Sequence, residues 1–138
     1  MVRQFLGDPH RKQGVITLER PDEDPVAGLV VAIVSNCSPW TYLGNRPVYA
    51  SPHASFDTAL DLLALRKLSP AAVLRHGTQL LAPNGRGPRG KHVVALHDVS
   101  EFTLRTDVPL PFQVDGEHLG LRSNATFTGV RRALRVIV

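Results

Sequence analysis

The segment "PLPFQVDGEHLG", residues 109–120, decides the fold class because it places a turn signal between two strand-like stretches. Asp-Gly between alternating strands is the strongest short-range hairpin signal, since a type I′ turn needs positive φ at both central residues. The segment also sets two carboxylates, Asp115 and Glu117, on either side of Gly116. A simple turn explains these residues. A functional interpretation uses the same geometry, because a rigid turn would hold a carboxylate where it could accept a proton from a substrate hydroxyl.

Several further stretches on both sides of this hairpin have strand character. The run "LVVAIVSN" (29–36) is mostly β-branched and predicts a strand buried on both faces. "ALDLLALRKL" (59–68) fits a helix or a strand by its period, and we favour a strand. "PDEDPVAG" (21–28) predicts a turn, and residues 37–54 form the longest irregular stretch. The other predicted strands are "GVITLER" (14–20), "HVVALHDV" (92–99), "EFTLRT" (101–106), "PFQV" (111–114), "HLGLRSN" (118–124) and "ALRVIV" (133–138).

One helix is predicted at about residues 69–82. Ser69 has the side chain of an N-cap, Pro70 suits the first helical position, and "AAVLRHGTQLLA" follows. Leu74, Leu80 and Leu81 would form its buried stripe. Short strands separated by turn signals, with a single helix, indicate a mainly-β fold. We therefore expect a β-sandwich of short, mostly antiparallel strands with this helix packed beside it.

The bulk properties are those of one globular domain. The chain has 138 residues, 43% of them hydrophobic, and a formal net charge of +4. We expect residues 1–13 to be an irregular N-terminal segment and residues 14–138 to form the domain. A single cysteine allows no internal disulfide, and neither a signal peptide nor a run long enough to span a membrane is evident. These features predict a cytoplasmic protein.

The remaining candidate sites have weaker signals. Asp57 and Asp61 lie four residues apart and could bind a hard cation such as Mg²⁺, but two acids without a third ligand also fit a solvated strand end. The six histidines show no zinc-like spacing, and "LHDV" (96–99) fits a turn better than a metal pair. The basic clusters at 86–91 and 131–135 could attract phosphate or could be solvated surface.

Several blocks of the chain, taken in order, resemble the C-terminal half of the diacylglycerol kinase catalytic family, which includes bacterial lipid kinases and sphingosine kinases. The resemblance covers about residues 14–138. The blocks that carry it are "VSN" (34–36) at the end of a strand, "YLG" (42–44), "ASPHASFD" (50–57) and the late "QVDGE" (113–117).

This resemblance implies a β-sandwich with a lipid-facing surface and a role for each residue of the Asp-Gly-Glu block. Glu117 would be the general base toward a lipid hydroxyl, Asp115 a supporting acid and Gly116 the turn. The family's structural Mg²⁺ site lies in the stretch matched by residues 54–60, which makes Asp57 the side-chain ligand. Where the family usually has Asp-Gly within that stretch, this chain has Thr58 and Ala59.

The family also has a nucleotide-binding half with a Gly-Gly-Asp-Gly-Thr phosphate loop, and this sequence contains neither that loop nor an α/β pattern. We therefore expect the lipid-binding, base-supplying half of an ATP-dependent lipid kinase, inactive alone. ATP and Mg²⁺ are the implied cofactors. The implied partners are a diacylglycerol-like lipid, a nucleotide-binding half and the membrane surface.

Two other function classes are open at the level of sequence. The chain could be a non-catalytic β-sandwich that binds a partner or forms homo-oligomers through an exposed apolar seam. A single-strand nucleic-acid binder would need aromatic residues interleaved with arginines, but the aromatic residues lie apart from the Arg-rich segments. We do not expect nucleic acid to be the partner.

Overall fold

The computed structural model describes residues 14–130, which form nine strands and one helix. The mainly-β prediction is confirmed. The predicted irregular segment 1–13, the basic cluster 131–135 and the predicted last strand 133–138 lie outside the described residues. The elements are β1 (Ile16–Arg20), β2 (Glu23–Leu29), β3 (Val31–Ser35), β4 (Thr41–Leu43), β5 (Arg46–Val48), β6 (Leu60–Leu65), α1 (Pro70–Leu80), β7 (Val93–Val99), β8 (Glu101–Val114) and β9 (Glu117–Thr128).

The strands form two main sheets and one small hairpin. A four-stranded sheet has the order β2-β1-β8-β9, and a three-stranded sheet has the order β3-β6-β7. The hairpin β4-β5 lies within residues 37–54, where we had predicted only irregular structure. Every strand pair among the described residues is antiparallel, as expected.

The core lies between the two main sheets. Leu18, Leu29 and Phe102 come from the four-stranded sheet, and Leu62 and Ala64 come from the three-stranded sheet; all five are almost completely buried and belong to one cluster. Apolar side chains from two sheet faces thus exclude water together, as in a β-sandwich.

β6 is the strand that is buried on both faces. Residues 61–64 of β6 are all buried, because β6 is the central strand of its sheet. The prediction gave this position to residues 29–36, and it is wrong. β3 is an edge strand, and four of its five residues are only half-buried. A continuous apolar run cannot by itself distinguish a central strand from an edge strand.

β2 occupies most of the segment that we had predicted to be a turn. The turn itself is confined to the start of the segment, where Asp22 has a φ of 58°. Pro25 lies within the strand, which is possible because β2 is an edge of its sheet, and a residue without an N–H is tolerated on an edge. The acids and prolines that indicated a turn therefore mark an exposed edge strand.

The last two strands are longer than predicted. Residues 101–114 form one strand of 14 residues rather than two short ones, and β9 has 12 residues. Prolines 109 and 111 are accommodated because β8 pairs with β1 only up to Thr106. Beyond that point one side of β8 has no strand neighbour, so missing N–H groups cost no hydrogen bond with β1.

The helix begins where the sequence predicts. The Ser69 hydroxyl accepts a hydrogen bond from the Ala72 N–H, and Pro70 is the first helical residue. The predicted buried stripe is wrong for Leu74, which is 71% exposed, whereas Leu80 and Leu81 are half-buried. The buried residue of the helix is His76. Its Nδ1 lies 3.0 Å from Gln79 Oε1, so its burial leaves this nitrogen with a partner.

Candidate functional site

The Asp-Gly block forms the two-residue turn between β8 and β9, as predicted. Val114 pairs with Glu117 across the hairpin, and Asp115 and Gly116 have φ values of 49° and 84°. A positive φ at both central residues is the property that a type I′ turn needs. No atom lies within 4 Å of where a Gly116 side chain would begin, so this glycine serves the backbone conformation and not close packing.

The position of this turn depends on an irregularity in the hairpin. Arg105 pairs with Asn124, but the next paired residue of β8 is Leu110, opposite Arg122. Four residues of β8 therefore face one residue of β9, and such a bulge bends a strand pair. The Phe112 ring lies 6.2 Å from the Phe127 ring, centroid to centroid, so the outer hairpin lies over the edge of the core.

Glu117 and Asp115 project from this turn into solvent. Both residues are exposed, and among the described residues neither side chain has a hydrogen bond or an ion pair. A solvated carboxylate is a weak base, and a general base must come within about 2.6–3.2 Å of the proton it removes. The turn thus fixes the backbone from which an exposed carboxylate projects.

Apolar side chains flank the two acids. Val114, Leu119 and Leu121 are all exposed, by 44%, 41% and 59%. Single exposed apolar residues are common on protein surfaces, but three around one turn form a surface that can be covered by a partner or a lipid. The candidate site therefore combines a free carboxylate with an apolar surround.

A second polar cluster lies on the outer face of the three-stranded sheet. Asp61 is 2% exposed, and its two carboxylate oxygens lie 2.9 and 3.0 Å from His97 Nδ1. The Asp98 N–H donates to the same carboxylate at 3.1 Å, and the Ala59 N–H donates to the Asp98 carboxylate at 2.7 Å. The hydrogen bonds to Asp61 satisfy its buried carboxyl group, whose burial without partners would cost free energy. The centroids of the His53 and His97 rings lie 5.6 Å apart in an edge-to-face arrangement. This contact holds residues 53–59 against β7.

This cluster was not predicted, because the spacing in the sequence groups Asp61 with Asp57. The signal was present: Asp61 stands inside an apolar run, where a charge needs a partner. The prediction of a turn at residues 96–99 is wrong, since β7 continues to Val99. The φ of 56° at Asp98 instead belongs to a register shift between β6 and β7.

Asp57 differs from Asp61 in its exposure and in its contacts. It is exposed, and its backbone N–H donates to the Ser55 hydroxyl at 3.2 Å. Thr58 closes the same turn, because its hydroxyl donates to the Ser55 carbonyl at 2.9 Å. Among residues 14–130 no group of three or more His, Cys, Asp or Glu side chains could together hold a metal ion. The carboxylate of Asp57 remains available on the surface of this turn.

None of the helical residues in the described part of the chain forms a segment long and apolar enough to cross a bilayer.

The comparisons with known proteins give one structural neighbour. No protein-family model and no curated protein matches the chain. Among solved structures, the fold is similar to that of a "putative diacylglycerol kinase" from Bacillus anthracis str. Sterne, with a TM-score of 0.58 and 14% sequence identity. The alignment covers 86% of this chain and 39% of that protein. This similarity supports a shared fold, and the chain spans well under half of the length of its neighbour.

Proposed function

We propose that this chain is the lipid-binding, general-base-supplying half of an ATP-dependent diacylglycerol-type lipid kinase. The observation that carries the proposal is an exposed carboxylate beside a tight turn, in a fold similar to that of a protein described as a "putative diacylglycerol kinase". Phosphoryl transfer depends mostly on positioning and on charge stabilisation around the phosphates. A nucleotide-binding half would supply that part and the ATP site, so this chain alone is inactive.

Glu117 is the proposed base. Its carboxylate would take the proton from the lipid hydroxyl as the hydroxyl oxygen bonds to the γ-phosphorus of ATP and the bond to the β-phosphate oxygen breaks. Asp115 lies two residues away, on the other side of Gly116, and is the proposed supporting acid. The positive φ values at Asp115 and Gly116 fix the backbone of the turn from which both acids project.

The apolar surround of the turn is the proposed lipid-facing surface. Val114, Leu119 and Leu121 would contact the acyl part of a diacylglycerol-like lipid, while the acids contact its hydroxyl. Burying such side chains is favourable by about 25 cal/mol per Å² of apolar surface. A cytoplasmic protein that approaches the membrane surface at this turn would fit the arrangement.

The function is tested by reconstitution. The full chain is mixed with a nucleotide-binding half from a diacylglycerol kinase, ATP, Mg²⁺ and mixed micelles that contain diacylglycerol, and phosphatidate formation is followed. We expect phosphatidate from the mixture and none from either component alone. A nucleotide-binding half that binds this chain tightly, yet forms no product with several lipid alcohols, would contradict the proposal.

Asp57 is the proposed Mg²⁺ ligand. Asp57 is exposed on the turn at residues 55–58, and Mg²⁺ retains several waters and is bound by one or two carboxylates together with substrate phosphates. The ion would fix the turn beside the His53–His97 contact. We expect Asp57→Asn to weaken Mg²⁺ binding about tenfold or more, since even the loss of an indirect contact costs that much.

Calorimetric titration of the full chain with MgCl₂ measures this effect. Asp107→Asn is the matched control, because Asp107 is also exposed and carries the same charge. Equal binding by the parent chain and by both variants would place the ion elsewhere.

A non-catalytic binding or oligomerisation module is the second candidate function. The exposed apolar residues Val114, Leu119 and Leu121 favour it, because such a surface can also be covered by another protein chain. Sedimentation equilibrium separates the two functions. Self-association that is abolished by Leu121→Ser, together with failed reconstitution, would favour the module.

A further inference from the structure

A basic cleft lies between α1 and the chain segments that flank the three-stranded sheet. Its volume is about 430 Å³. The side chains of Lys67, Arg75, His76, Lys91 and His92 line it, together with small residues of the first helical turn. Among residues 14–130, no acidic side chain lines the cleft. Among the described residues, every charged or titratable side chain of the cavity is therefore a lysine, an arginine or a histidine.

The positive charge of this cleft is not neutralised within the described part of the chain. The ion pairs of residues 14–130 join Arg20 to Glu23, Arg105 to Glu19 and His97 to Asp61, and none of these groups lines the cleft. The lowered pKa of His92 is consistent with this excess of positive charge. Its pKa lies below the ordinary value because of partial desolvation and the repulsion of nearby cations, Lys91 and Lys67 foremost. A bound anion would relieve that repulsion.

The walls of the cleft are held in place by hydrogen bonds. The Arg66 N–H donates to the His92 carbonyl at 2.8 Å, which fixes the segment of Lys67 against that of Lys91. Gln79 Oε1 accepts from the Arg89 N–H at 3.1 Å and lies 3.0 Å from His76 Nδ1, which joins the helix to the loop before β7. The backbone segments that carry the cations are therefore already held together before a ligand binds, and preorganised sites lose less entropy on binding.

Gly90 leaves room for the guanidinium of Arg75. A terminal nitrogen of Arg75 would lie 3.3 Å from a Cβ at Gly90, whose φ of 137° also disfavours a side chain. The guanidinium is thus adjacent to the backbone of the segment that carries Lys91. The charge of the cleft comes from side chains, since Ser69 already accepts the hydrogen bond of the Ala72 N–H at the start of the helix.

We propose that this cleft, lined by Lys67, Arg75, Lys91 and His92, binds the phosphate group of a phosphorylated ligand. A phosphate monoester carries about −1.5 to −2 charges near pH 7 and three strong acceptor oxygens, which matches several converging donors better than a single carboxylate does. Arginine binds such oxygens with two parallel hydrogen bonds, and lysine binds them as a point charge. The proposal does not depend on the role of Glu117.

The test uses the full chain with three ligands: inorganic phosphate, glycerol phosphate, and phosphatidylcholine vesicles with or without phosphatidate. Binding is followed at constant ionic strength by the NMR signals of the His92 ring and by vesicle sedimentation. We expect the pKa of His92 to rise when phosphate binds, because an anion stabilises the imidazolium. Binding of the free esters identifies a soluble ligand, and binding of phosphatidate vesicles alone identifies a lipid headgroup; either result supports the proposal.

Arg75→Gln should weaken phosphate binding about tenfold, because one charge-assisted contact is lost. Arg46→Gln is the matched control, since Arg46 is exposed on β5, has no ion pair among residues 14–130 and does not line the cleft. Gln retains high helix propensity, so the fold should persist, and Lys91→Gln provides a second variant outside the helix. An equal loss in the Arg75 and Arg46 variants, or no binding of any of the three ligands, would overturn the proposal.

Discussion

Glu117→Gln is expected to reduce phosphatidate formation by the reconstituted kinase about 10²–10⁴-fold, the usual contribution of a positioned general base. Glutamine has nearly the same shape but cannot accept the proton. The side chain is exposed and has no partner among the described residues, so the change should leave the fold and the turn intact. The loss should therefore appear in kcat, with lipid binding nearly unchanged.

The matched control for this prediction is Glu101→Gln. Glu101 is also exposed and begins β8, at the other end of the strand that leads to the turn. Its variant should retain the parent activity. If the Glu117 variant remains as active as the Glu101 variant, Glu117 is not the base and another group must remove the proton.

Phe102→Ala is expected to lower the free energy of unfolding by about 3–5 kcal/mol, the range for the loss of a buried phenylalanine. Phe102 is 1% exposed, and its ring stacks on Phe127 at a centroid distance of 5.2 Å. Alanine would leave a cavity between the sheets and would remove this aromatic contact. Such a loss is a large part of the stability of a typical domain.

Urea unfolding followed by circular dichroism measures this effect, with Phe56→Ala as the control. Phe56 is 77% exposed, so its truncation should change the free energy of unfolding by no more than about 0.5 kcal/mol. A loss below about 1 kcal/mol for the Phe102 variant would mean that the two sheets do not close on this ring. If that variant does not fold at all, Phe102→Leu provides a smaller truncation for the same comparison.

The elements predicted correctly from sequence are those whose signal is local. Asp115 and Gly116 determine their own backbone conformation, and Ser69 with Pro70 determines the start of the helix. Such features depend on a few adjacent residues and not on the remainder of the fold. Glu117 follows the predicted turn as the first residue of β9, but its role as a base is a proposal that involves a partner surface and cannot be predicted from local sequence.

The elements predicted wrongly are those whose environment depends on distant strands. Whether β3 or β6 is central follows from the order of the sheet, which local periodicity does not contain. Leu74 is exposed and His76 is buried, and the face of the helix that is covered depends on segments outside it, such as that of Tyr49, whose N–H donates to the Leu80 carbonyl at 2.9 Å. Likewise, Asp61 meets His97 only because β6 and β7 are neighbours.

The bulge between Arg105 and Leu110 lies between the inner part of the hairpin, which packs in the core, and the outer part, which carries the candidate base Glu117. Phe112, which lies beyond the bulge, is near Phe127, and Phe127 stacks on the core residue Phe102, so the outer hairpin that carries Glu117 contacts an aromatic pair at the edge of the core. Substitutions in this part of the core would then misdirect the carboxylate before they unfold the protein. We therefore expect core substitutions in this hairpin to lower both the free energy of unfolding and the activity of the reconstituted kinase.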